Sequence, residues 1–140
     1  MKQMYEILMM SCSAVVGVVS YMYGQFDGFI ACLIAFICVD YLTGVMCAVK
    51  DHKLSSNVGF VGICRKVLIL LMVGIGGLLD RLIQTGDSFR NMMAFFYIAN
   101  EGLSIVENCE RMGLPVPKKL LSILHEIKEK GDKDNENEET

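Results

Sequence analysis

The sequence has no tryptophan, only two prolines and two histidines, and no surplus of basic residues. Thirteen Lys and Arg stand against sixteen Asp and Glu, so the formal net charge is −3. A chain of this charge offers no basic face to a phosphate backbone, which argues against a nucleic-acid partner. The six cysteines include no Cys-x-x-Cys pair, and neither histidine stands near a cysteine pair. We therefore predict no metal site and no cofactor.

A catalytic constellation is also missing from the sequence. Ser11, Ser13 and Ser20 lie in an apolar run without a His or Lys nearby. His52 falls in a predicted loop and His125 in a predicted terminal helix. Because no nucleophile has a base beside it, we expect no enzyme activity.

Long apolar runs dominate what is present, since 53% of the residues are hydrophobic. A bilayer core requires about 20 apolar residues of helix. Four runs approach that length: residues 7–23, 29–49, 67–79 with an upstream extension over 60–64, and 89–106. The fourth is weakened by Arg90, Asn100 and Glu101. We predict an all-α membrane protein with about four spans in a bundle formed by residues 1–110.

The basic residues predict the orientation of these spans. They are concentrated between spans two and three and after span four, at Lys50, Lys53, Arg65, Lys66, Lys118 and Lys119. The connector between spans one and two has no Lys or Arg. Both termini are therefore predicted to be cytoplasmic. A three-span alternative would export Lys118 and Lys119, which this charge bias disfavours.

The segment after span four reads as a linker, a helix and a tail. Gly113, Pro115 and Pro117 end the fourth helix. Apolar residues then recur at helical spacing over 118–130, which predicts a cytoplasmic amphipathic helix within residues 111–131. Gly131 is expected to end it, and residues 132–140 are expected to form a disordered acidic tail.

Polar residues within the spans are the candidate functional residues. Span two carries a stripe of small and polar residues at helical spacing, formed by Asp40, Thr43, Gly44, Cys47 and Ala48. Span four carries Asn100, Glu101, Ser104, Glu107 and Asn108 on one broad face. Asp40 and Glu101 each lie about 18 Å from the outer end of their helix, so we expect them at similar depth. A mid-bilayer carboxylate costs about 2.5 kcal/mol or more, so these acids should face protein or water.

Two interpretations of this stripe remain open. In one, it is a packing seam with a paired or protonated aspartate. In the other, it lines a pore or controls assembly. In span three, Gly74, Gly76 and Gly77 predict a close-packing surface, and Asp80 and Arg81 are expected to form an interfacial ion pair at its outer end.

Several of these motifs resemble a known family. They are Asp40-Tyr-Leu-Thr-Gly44, the Arg65-Lys66 pair, the segment 101–108 and Gly113-Leu-Pro-Val-Pro-Lys118. Together they resemble the toxin-secretion/phage-lysis holin family of clostridia and other Firmicutes, over roughly residues 40–120.

The resemblance implies a holin that assembles into homo-oligomers in the lipid of the bacterial cytoplasmic membrane. The resulting lesion would release a phage endolysin or a large toxin, with no catalytic residues. Two other classes of function fit the same residues. One is a small ion channel or transporter subunit, and the other is a membrane scaffold that forms no pore.

Overall fold

The chain folds into helices. The structure, a computed structural model, describes residues 1–136, and the side chains of these except at positions 58 and 130–136. The helices are α1 (Lys2–Tyr23), α2 (Gly28–Lys50), α3 (Ser56–Ile83), α4 (Ser88–Arg111) and α5 (Lys118–Glu136). No strand occurs within residues 1–136. The all-α prediction is confirmed.

Three of the described helices are long and apolar enough to cross a membrane. These stretches are Lys2–Tyr23, Gly28–Lys50 and Gly59–Ile83. They agree with the first three predicted spans. The fourth helix does not meet this criterion, so its crossing of the bilayer stays a prediction.

Helix α4 nevertheless forms the centre of the bundle, because it packs along both α2 and α3. The shared core contains Leu33 and Ile37 from α2, Ile69 and Val73 from α3, and Ala94 from α4. The polar residues that lower the hydropathy of α4 are buried among these helices, including Arg90 and Glu101. Mean hydropathy therefore underestimates how well α4 fits within an apolar bundle, since its polar groups are enclosed by protein.

Two predicted boundaries are wrong. Helix α3 begins at Ser56, so Arg65 and Lys66 lie within the helix and not in the connector before it. Helix α5 continues past Gly131 to Glu136, although Gly131 was expected to end it. Residues 137–140 of the predicted tail lie outside the described residues.

The two ends of the bundle are named here by the predicted topology. The inner end holds the connectors 51–55 and 112–117, and the outer end holds 24–27 and 84–87. Helix α5 folds back from the inner end against α4, where Leu121 and Leu124 pack on Leu103 and Val106. The amphipathic helix predicted in this segment therefore packs on the bundle.

Helix α1 is attached only at its outer end. Its residues are exposed up to Tyr21, and only Met22 and Tyr23 are partly covered. The Tyr23 hydroxyl donates a hydrogen bond of 2.6 Å to the carbonyl of Leu70 in α3. The remaining apolar surface of α1 requires lipid or a second protein surface around it.

The glycines of α3 allow this attachment. Gly74 packs against Met22 and Tyr23, and a Cβ atom at Gly77 would overlap the carbonyl oxygen of Met22. A Cβ atom at Gly76 would lie 3.1 Å from the backbone of Arg90 in α4. The predicted close-packing role of these glycines is therefore visible at two interfaces.

Replacing Gly77 by alanine should detach the outer end of α1. The new methyl group forces the backbones apart, and overpacking of this kind costs about 1–3 kcal/mol. The midpoint of thermal unfolding of the detergent-solubilised protein should fall. Gly17→Ala is the matched control, because nothing lies within 4 Å of that position. An equal midpoint for the two variants would contradict the close contact at Gly77.

Candidate functional site

The candidate site is a layer of ionic and polar side chains across the bundle, centred on Lys66. The Lys66 ammonium donates hydrogen bonds to Asp40 of α2 and Glu101 of α4, and pairs with both carboxylates. The three side chains are 13%, 10% and 6% exposed for Lys66, Asp40 and Glu101. One buried cation thus ties together three helices.

Asn108 and Thr43 extend this layer along the contact between α4 and α2. The Asn108 amide nitrogen donates to Asp40 Oδ1 at 3.3 Å and to Thr43 Oγ1 at 3.1 Å. The Cys47 thiol donates to the backbone carbonyl of Asn108 at 3.3 Å. We call Asp40, Thr43, Lys66, Glu101 and Asn108 the ionic layer. No buried side-chain nitrogen or oxygen of the described residues lacks a hydrogen-bond partner.

The positions along the helices explain why these groups meet. Asp40 stands ten residues before the end of α2, and Glu101 stands ten before the end of α4. Lys66 stands ten residues after the start of α3, which runs in the opposite direction. At 1.5 Å per residue, all three lie about 15 Å from the inner end. The expected common depth of Asp40 and Glu101 is confirmed by the single ammonium that bonds both.

The ionic layer carries more negative than positive charge. Two carboxylates and one ammonium carry a formal charge of −1 when all are ionised. The cation reduces the cost of burying either acid, but it cannot fully neutralise both. An arrangement that admitted water to the two carboxylates would solvate the uncompensated charge.

The remaining predicted residues lie around this layer. A Cβ atom at Gly44 would lie 3.8 Å from the Asn108 side-chain nitrogen, so Gly44 faces α4 of the same chain. Ala48 is half-buried one turn further on. Asn100 and Ser104 are half-buried on α4, and neither side chain forms a hydrogen bond among the described residues. The structure thus brings the α2 stripe together with Glu101 and leaves Asn100 and Ser104 outside the network.

The predicted topology residues fall into two groups. Lys50, Lys53, Lys118 and Lys119 are exposed near the inner end, and Arg65 is exposed on α3. Lys66 instead belongs to the ionic layer, which the sequence reasoning missed. One signal could have revealed this: the apolar segment 60–64 directly precedes Arg65-Lys66 and reads as the same helix as the apolar run after it. A cation between two apolar stretches of one helix needs a buried partner.

A second buried cation lies at the outer end. Arg90 is 1% exposed and donates hydrogen bonds to the backbone carbonyls of Tyr23 and Gln25. Its guanidinium also pairs with Asp27, and approaches Asp87 at 3.5 Å. Arg90 therefore holds the connector between α1 and α2 against the start of α4.

Asp80 caps α4 from the neighbouring helix. Its carboxylate accepts the backbone N–H groups of Phe89 at 3.0 Å and Arg90 at 2.8 Å, and the Thr85 hydroxyl at 2.6 Å. The first backbone N–H groups of a helix have no partner within the helix, and a carboxylate satisfies them well. The predicted ion pair between Asp80 and Arg81 is wrong, because the Arg81 guanidinium lies 4.4 Å from the centre of the Tyr21 ring.

Comparison with known proteins identifies the family to which this sequence is similar. The sequence model of the bacteriophage holin family matches residues 17–129. An uncharacterized 14.9 kDa protein from the nagH 3' region of Clostridium perfringens is 43% identical over 79% of this chain and 85% of its own length. A protein of Bacillus phage phi105 named "Probable holin" is 30% identical, over 86% of this chain and 88% of its own length. No solved structure matches the chain.

Proposed function

Because the chain belongs to the bacteriophage holin family, we propose that it is a holin that permeabilises the bacterial cytoplasmic membrane. In this proposal, copies of the chain assemble in the membrane and open a lesion. An endolysin, or a large toxin, then leaves the cytoplasm through it. The phage phi105 relative and three long apolar helices support the holin and membrane parts of the proposal.

The observation that carries the mechanism is the completeness of the ionic layer within one chain. Lys66 pairs with both acids, and Asn108 satisfies the other side of Asp40. A single chain therefore presents no aqueous lumen at this depth, and in this proposal lesion formation separates α2 from α4. We propose that this separation is the slow step before lysis.

Contacts between copies would offset the cost of separation. Once α2 and α4 part, Gly44, which faces Asn108 of α4, becomes available for close helix packing against another copy. Asp40 and Glu101 would then face water, where their charges are solvated. Loss of the membrane potential would bias this change, since moving one charge through 100 mV is worth about 2.3 kcal/mol.

The proposal includes a topology of four crossings with both termini in the cytoplasm. Helix α4 packs against the two apolar helices α2 and α3, which supports its crossing with them. We expect a cysteine introduced at Thr140, with the native cysteines removed, to resist a membrane-impermeant thiol reagent in intact cells. The same cysteine should react in inverted membrane vesicles. Labelling in intact cells would contradict the four-span topology.

Co-expression with an endolysin tests the function itself. Bacteria that express both proteins should grow normally and then lyse abruptly. Bacteria that express either protein alone should keep an intact cell wall and an unchanged shape. The chain alone should admit large dyes after the same delay. Ion flux without dye entry would indicate a channel, and neither effect would indicate a scaffold.

A further inference from the structure

A groove opens between α2 and α3 at the inner half of the bundle. The two helices contact each other little there, since α4 fills the space behind them. The groove encloses a cavity of about 180 Å³ with Ala48 and Leu54 among its apolar lining residues. Gly59 and Gly62 of α3 face Tyr41 of α2 across the groove. A Cβ atom at Gly59 would lie 3.6 Å from the Tyr41 hydroxyl, and a Cβ atom at Gly62 would lie 3.6 Å from the Tyr41 ring. The groove is thus a narrow apolar slot that opens sideways from the bundle.

Arg65 lines this slot and lacks a protein partner. It is exposed, and it forms no ion pair or hydrogen bond with any other residue of the described chain. Its neighbour Lys66, in contrast, is fully engaged by the ionic layer. Side chains in a helix tilt toward the helix N-terminus, which directs Arg65 toward the inner end. A guanidinium on the lipid-facing side of a membrane helix extends in this way to reach an anion or water.

More positive charge lies at the inner end of the bundle. Lys50 and Lys53 are exposed there, and Lys53 directly precedes Leu54, which lines the slot. The Lys50 ammonium bonds a backbone carbonyl, that of Arg111, and Asp51 is paired with the Arg111 side chain. The Tyr41 hydroxyl also has no hydrogen-bond partner among the described residues. The slot therefore combines apolar walls, the unpaired guanidinium of Arg65 and a free hydroxyl, and Lys53 adds a cation next to the lining residue Leu54. Asp40 and Lys66 also line the slot and are paired with each other.

We propose that this slot binds an anionic phospholipid of the inner leaflet. The phosphate group lies between Arg65 and Lys53, and one acyl chain lies along the groove between α2 and α3. Basic pockets between membrane helices on the cytoplasmic side take such head groups, while the groove walls suit a hydrocarbon chain. The proposal rests on the topology proposed above, which brings the inner end to the cytoplasmic leaflet. A bound lipid would hold α2 and α3 on either side of the ionic layer.

Native mass spectrometry of the full chain in detergent tests the proposal, with phosphatidylglycerol and phosphatidylcholine as the probes. The wild type should retain phosphatidylglycerol in preference to phosphatidylcholine. Arg65→Gln should weaken this retention about fivefold, since each basic residue near an anionic surface contributes about 1 kcal/mol. The Arg65→Lys variant keeps the positive charge and should therefore keep most of the retention of phosphatidylglycerol. Arg81→Gln is the matched control, because Arg81 is an exposed arginine at the other end of the same helix.

Three results would overturn the proposal. The first is equal retention of phosphatidylglycerol by Arg65→Gln and Arg81→Gln, with equal thermal midpoints for both variants. The second is displacement of the lipid by millimolar inorganic phosphate, which would identify a site for free phosphate. The third is loss of crosslinked dimers in Arg65→Gln at unchanged lipid retention, which would identify a second copy as the occupant. Lipid retention is measured on purified protein and does not depend on lysis. The lipid proposal can therefore fail while the holin proposal is supported, and the holin proposal can fail while lipid retention is observed.

Discussion

Lys66→Met is expected to be the most damaging single substitution in the bundle. It leaves Asp40 and Glu101 buried, facing each other without the cation that pairs with both. Removing one partner from a buried ionic group typically costs about 3–5 kcal/mol, because the remaining charge is uncompensated. We expect the purified variant to unfold at a much lower temperature or detergent concentration than the wild type. In cells it should lyse early or fail to accumulate.

A neutral layer of similar shape provides the decisive control. The triple variant Asp40→Asn, Lys66→Met, Glu101→Gln removes all three charges together. Replacing a whole buried ionic group by neutral residues is often tolerated, so the triple variant should recover most of the lost stability. If the triple variant is less stable than Lys66→Met alone, the electrostatic account of the layer is wrong.

Arg90→Met is expected to have the second largest effect. The substitution removes the Arg90 partner of Asp27 and leaves the backbone carbonyls of Tyr23 and Gln25 without their side-chain donor at the outer end. We expect a loss of about 3 kcal/mol or more in the free energy of unfolding. Helix α1 should then separate from the bundle first, because this connector and the last turn of α1 are its attachment.

Arg81→Met is the control for Arg90. Arg81 is another arginine at the outer end, but it is exposed and stacks on Tyr21. Exposed contacts of this kind are worth about 1 kcal/mol or less. The two variants can be compared by the detergent concentration that unfolds half of the protein. Similar midpoints would show that the Arg90 contacts contribute little.

The sequence predicts the helical architecture well because the apolar runs carry most of the information. The first three spans and the close-packing glycines appear in the structure at the expected places. The common depth of Asp40 and Glu101 also follows from counting residues along helices. These inferences depend only on helix geometry and on the cost of polar groups in an apolar medium.

The partners of the buried charges could not be predicted in the same way. Lys66 was assigned to a connector, because lysine and arginine are most common there in membrane proteins, and Arg90 was treated as a residue that weakens the fourth span. Which carboxylate meets which cation depends on how α3 turns toward α2 and α4, and helical periodicity does not fix that rotation. Asp80 illustrates the same limit, since its role as the cap of α4 depends on a contact between two different helices.

The accessibility of Cys47 tests the central claim most directly. Cys47 is a native residue in the contact between α2 and α4, only 1% exposed, and its thiol bonds the Asn108 carbonyl. The other five cysteines would be replaced, and labelling by a membrane-impermeant thiol reagent would be followed through expression and lysis. A second strain with its only cysteine at Thr140 would report when the reagent first enters the cell. The account predicts that Cys47 is protected before lysis and reacts together with Thr140→Cys when the lesion opens. Cys47 that stays protected after Thr140→Cys has reacted would contradict it, because the ionic layer would then have remained closed.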